Sequence, residues 1–121
     1  MKRDSDFEAQ VMQALSEFAP TMKVVSGSYE ILATHGPKLV KLGWPVGMAS
    51  EVYFDFIENG DVILAESVEY YDGELAPEQI ADVARTVANF LAHPTKLVEF
   101  GRVFTRKELQ YQEGLQWKSV F

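Results

Sequence analysis

The stretch from Glu51 to Tyr71 constrains the fold of this chain more than any other. Asn59-Gly60 sits there between two runs in which apolar and polar residues alternate. Both residues tolerate the positive φ that a type I′ turn requires, so the pair closes a two-residue hairpin loop. Such a loop sets Phe56 opposite Ile63 and Phe54 opposite Ala65. Val52, Phe54, Phe56, Ile63 and Ala65 then share one face, and Tyr53, Asp55, Ile57, Val62, Leu64 and Glu66 share the other. An aromatic row on one face of a hairpin needs an apolar layer laid over it.

Two segments have the period to supply that layer. Phe7, Val11, Ala14, Leu15 and Phe18 recur at helical spacing, with Ser5 and Glu8 in capping-box relation ahead of them and Pro20 as a stop. Ile80, Val83, Ala84, Val87 and Leu91 form a second apolar stripe, with Pro77 in its first turn and His93-Pro94 beyond its end.

Further strands fill the intervals. Lys23 to Thr34 reads as one strand with a weak point at Gly27, Lys38 to Leu42 as a short strand, and Gly43 to Gly47 as a loop carrying Trp44. In the tail, a three-residue loop Gln112-Glu113-Gly114 would set Tyr111 opposite Leu115 and Leu109 opposite Trp117 on one apolar face. A helical reading of Thr105 to Gln112 competes with that strand. The expectation is one α+β domain over residues 1–121. It has an antiparallel sheet of about five to six strands and two helices packed on one face, in the order α-β-β-β-β-α-β-β.

The chain has 121 residues, 47% hydrophobic and 24% charged, in the range of ordinary globular domains that need no metal or disulfide to build a core. It has no cysteine, which removes disulfides, thiolate metal sites and cysteine nucleophiles together. Met1-Lys2-Arg3 leads into a polar amphipathic segment with no apolar signal core, and no apolar run is long enough to span a bilayer, so a cytoplasmic protein is expected.

Charge is unevenly distributed. The formal net charge is −7, which argues against nucleic acid or membrane as the main partner. Residues 1–94 hold 15 acids and 6 bases, whereas residues 95–121 hold 3 acids and 5 bases. Between Lys41 and Arg85 there are ten acids and no Lys or Arg.

Few constellations suggest chemistry. His35 and His93 lie beside prolines in turns, without metal-ligand spacing, and no metal or cofactor is expected. Ser26-Gly27-Ser28 is not a nucleophile elbow, and no catalytic residue is assigned. The glycines are scattered singly, unlike a phosphate-binding loop. Asp55 and Glu66, on one face of the expected hairpin, could split their pKa values as an acid–base pair. Arg102, Arg106, Lys107 and Lys118 interleave with Phe104, Tyr111 and Trp117. They could form a small basic stacking surface for nucleic acid, but the expected tail register accounts for the aromatics as a core-facing row, and the charge of the whole chain would repel a phosphate backbone.

The acidic–aromatic run Glu66 to Glu74 is the strongest binding feature. Its acids would steer a basic partner, and its tyrosines would add contact area with a polar tip. The expected contacts are Glu66, Glu69, Tyr70, Tyr71, Asp72 and Glu74, with Asp55 nearby. The function expected is a non-enzymatic binding protein that engages and inhibits a basic protein, comparable in size and charge to the immunity proteins of bacterial toxins. Two rivals are a secretion or assembly chaperone, expected to self-associate as a homodimer, that takes an apolar segment through Trp44, Tyr53, Phe54 and Phe56, and a small enzyme using Asp55 and Glu66.

Overall fold

A computed structural model describes residues 3–46, 50–70 and 76–121. Its elements run α1 (Arg3–Ala14), a 3-10 turn (Ser16–Phe18), β1 (Thr21–Val25), β2 (Ser28–His35), β3 (Lys38–Pro45), β4 (Glu51–Glu58), β5 (Asp61–Glu69), α2 (Ala76–Leu91), β6 (Thr95–Phe100), β7 (Arg106–Glu113) and β8 (Gln116–Ser119). The fold is α+β. The eight strands form two antiparallel sheets, a five-stranded meander β1-β2-β3-β4-β5 and a three-stranded meander β6-β7-β8.

Alternation places the core. Ile31 and Ala33 of β2, Val40, Leu42 and Trp44 of β3, and Val52, Phe54 and Phe56 of β4 are fully buried on one face of the large sheet. Both helices pack there. Phe7 and Val11 come from the first, Leu15 from just beyond its end, and Val83, Val87 and Phe90 from the second. Phe7 meets Trp44 edge-on at 4.9 Å, and Phe90 meets Phe56 at 5.1 Å. The small sheet joins the same core through Leu109 and Tyr111, and Val120 follows β8 into it. The Val120 amide donates to the Leu109 carbonyl at 2.9 Å, and its carbonyl accepts from Asn89 at 3.1 Å. Phe121 then lays its ring edge-on against Phe54 and Phe56, at 5.6 and 5.5 Å.

Several local expectations change. The helix starts at Arg3, ahead of Ser5, so Ser5 is not its N-cap, and Ala14 is exposed outside the stripe. Lys23 to Thr34 is two strands, because Ser26 and Gly27 both take positive φ and turn the chain. β3 runs through Trp44 to Pro45, and Trp44 is wholly buried within it.

Asn59 and Gly60 take the expected positive φ values, 54° and 84°, with Glu58 opposite Asp61. A register shift then follows between Phe56 and Ile57, so Phe56 faces Leu64 and Phe54 faces Glu66. The extra residue on β5 moves every later side chain to the other face. Ala65 therefore leaves the Phe54 row, and Leu64 and Glu66 enter it.

The tail hairpin also differs. Its loop is Gly114-Leu115, with Glu113 opposite Gln116. Gly114 at the first central position, with φ 62°, suits a type II′ turn. Trp117 then pairs with Gln112, on the face opposite buried Leu109 and Tyr111. Thr105 to Gln112 is strand, not helix, from Arg106 onward.

Candidate functional site

The edge hairpin β4–β5 holds Asp55, Glu66 and Glu69, with Tyr70 just beyond it. Tyr71, Asp72 and Glu74 lie outside the described residues. Asp55 is half-buried on the face away from the helices, directly opposite Lys41 of β3 and Ala65 of β5. Lys41 reaches Glu30 of β2 at 3.6 Å, and Lys23 of β1 reaches the same carboxylate at 3.4 Å. A row of alternating charge, Lys23–Glu30–Lys41–Asp55, therefore crosses four strands, with Asp55 set opposite Lys41 in the register.

Glu66 stands opposite Phe54, on the helix side of β5, and is exposed. The sheet therefore separates it from Asp55, and the register shift undoes the acid–base pair that a regular hairpin would have made. Trp44, Phe54 and Phe56, considered for a chaperone, are fully buried, whereas Tyr53 is half-buried over Gly43 on the face away from the helices.

Tyr70 is 7% exposed and turns inward. Its hydroxyl donates to the Asp82 carboxylate of α2 at 2.6 Å, and Arg85 closes on the other oxygen of that carboxylate. The ring thus anchors the end of β5 on the second helix. Glu66 and Glu69 are the exposed members of this segment among the described residues.

The hairpin assembles a further feature from acids not assigned to the site at first. Glu51 stands directly opposite Glu69, and Glu58 directly opposite Asp61. Like charges facing each other across strands destabilise a sheet. The two pairs stand at opposite ends of one hairpin and on opposite faces of the sheet, Glu51–Glu69 on the side of Asp55 and Glu58–Asp61 on the helix side, so both faces of the β5 edge carry carboxylates. The Glu58–Asp61 pair was legible from the Asn59-Gly60 loop alone. The Glu51–Glu69 pair needed the bulge. Glu58 is partly offset by Lys38, which lies opposite it on β3.

A cleft of about 510 Å³ opens beside the hairpin turn, between the two sheets. Glu58, Asn59 and Asp61 contribute one side, Thr95 and Lys96 the other, and Ile63, Leu97 and Leu109 supply apolar lining. Among the described residues, no group of three or more His, Asp or Glu is placed to hold a metal ion, and no helix is long and apolar enough to cross a membrane. Comparison of the chain with protein-family models, with characterised proteins and with solved structures finds no match.

Proposed function

We propose that this chain is a non-enzymatic binding protein whose acidic β4–β5 edge engages a basic protein and blocks that protein's own anionic ligand. The observation that carries the reading is the row of carboxylates along the outer strand, with Glu69 facing Glu51 on one face of the sheet and exposed Glu66 and the Glu58–Asp61 pair on the other. A fold selected for stability alone gains nothing from setting carboxylates face to face, whereas a surface that must attract a cationic partner gains both field and contact. β5 is also an edge strand, so its outward backbone groups are available to a partner. The immunity-protein comparison rests on this charge logic together with chain size.

The test is affinity capture from the source organism at low and high salt, run in parallel with the wild type and with Glu66→Lys/Glu69→Lys. The expected result is a basic protein held at low salt, released at high salt and missed by the double variant. A partner that ignores both salt and the substitutions would overturn the mechanism.

A further inference from the structure

The small sheet carries a second, oppositely charged surface. Ion pairs sort there by face. Glu99 with Lys107 at 3.9 Å, and Glu113 with Lys118 at 3.0 Å, lie on the side that also holds buried Leu109 and Tyr111. Those four charges cancel. The outward side carries Lys96 and Arg106, and neither makes an ion pair among the described residues.

Each of those cations instead sits over an aromatic ring on the same face. The Lys96 ammonium is 4.1 Å from the centre of Trp117, and the Arg106 guanidinium is 5.7 Å from the centre of Phe100. Trp117 is 37% exposed and Phe100 41%. The adjoining β6–β7 loop adds Arg102 and Phe104, the latter 90% exposed. Among the described residues, Glu108 is the one acid that these strands place on this outward face.

From this arrangement we infer that the outward face of β6-β7-β8 is a stacking surface for single-stranded nucleic acid. Two requirements meet there. Unneutralised cations call for an anion, and exposed rings flanked by those cations call for flat π faces. Phosphates and unpaired bases satisfy both together, and base stacking on aromatic side chains tolerates any sequence. The geometry suits an extended strand. Phe100 and Trp117 are offset by six positions of β7, roughly 20 Å along the strands, and by two strand spacings, roughly 10 Å, across them. A second copy of the chain is a poor occupant, because apposing two such faces brings Lys96 and Arg106 against their own kind. The net charge of −7 describes the whole chain, and most of its acids lie on other elements. The surface meets the acidic hairpin only at the cleft that Lys96 shares with Glu58 and Asp61, and Trp117, Phe100 and Arg106 lie outside that cleft, so either surface can fail without the other.

The test is a titration of labelled oligothymidylate and oligouridylate, about 12 nucleotides long, followed by anisotropy and tryptophan quenching at about 50 and 200 mM salt. Trp44 is wholly buried, so quenching reports Trp117. Binding at low salt is expected. Trp117→Leu should weaken it roughly 5- to 100-fold, with circular dichroism unchanged. Arg106→Gln should weaken it and lower the salt slope by about 0.7. Phe100→Leu, which keeps the charge, should weaken binding without altering that slope. No binding at low salt overturns the inference. So does binding that Trp117→Leu leaves intact, or a preference for anionic vesicles or for duplex DNA over single strands.

Discussion

The Lys38 ammonium lies 2.6 Å from the carbonyl oxygen of His93, just beyond the end of α2, and 2.9 Å from that of Phe90 within its last turn. The first residue of β3 thus supplies the cation that the C-terminal end of a helix favours, and α2 has no basic residue of its own in its last turn. Lys38→Met should destabilise the fold by about 1–2 kcal/mol in urea unfolding, since two helix-end carbonyls lose a hydrogen-bond donor that the ammonium and the neutral amine both supply.

The same lysine makes a pH prediction. Burial lowers its pKa from the ordinary 10.5, against the opposing pull of Glu58. The folded chain therefore gives up this proton before the unfolded chain does. Between the two pKa values the unfolded state binds more protons, so stability rises with pH through that window and is flat well below it. The stability difference between wild type and Lys38→Met should widen as pH climbs toward 10.5. A difference that narrows would show that the ammonium gains more from its partners than burial takes away.

Gly43 pairs with Tyr53 across β3 and β4, and a Cβ there would run into the Tyr29 carbonyl oxygen and the Tyr53 hydroxyl. Gly43→Ala should cost about 1–3 kcal/mol. Adding Tyr53→Ala should not restore stability, because the Tyr29 oxygen is backbone and cannot swing aside. Denaturant midpoints of the single and double variants separate the two obstacles.

Glu69→Lys turns a like-charge cross-strand pair with Glu51 into an attractive one. It should stabilise the fold by about 0.2–1 kcal/mol, with the gain shrinking as salt is added. Thermal unfolding beside the capture experiment then reads both sides of the exchange, a firmer sheet and a weaker grip on a basic partner.

Tyr70→Phe keeps the buried ring but removes the donor to Asp82. A loss of about 1.5–3 kcal/mol is expected, as for a hydrogen bond to a charged group. A double-mutant cycle with Asp82→Asn should recover most of that loss as coupling energy.

Phe121→Ala removes two edge-to-face contacts, to Phe54 and Phe56. At about 0.5–1.5 kcal/mol per aromatic pair, a cost of roughly 1–3 kcal/mol is expected by urea unfolding. A negligible cost would mean that the ring, 40% exposed, covers the core without holding it.

By itself the chain of amino acids determined whatever depends on neighbours in sequence. The stripes Phe7-Val11-Leu15 and Ile80-Val83-Val87 mark two helices because a 3.6-residue period repeats within a few turns. Asn59-Gly60 marks a turn because both residues accept a backbone conformation that most others avoid. Tertiary structure decided register. Whether Ala65 or Glu66 stands beside Phe54, and whether Trp117 faces inward with Tyr111 or outward with Lys96, turns on one extra residue at Phe56/Ile57 and on the choice of Gly114-Leu115 over a longer loop. A one-residue slip exchanges the two faces of a strand, and its energy is summed over every partner that the strand meets. Those partners come from distant parts of the chain: α2 for the large sheet, and α2 again for the small one, where Asn89 holds the Val120 carbonyl. Such a sum forms only when the layers pack, so the separation of Asp55 from Glu66 and the exposure of Trp117 belong to the folded protein.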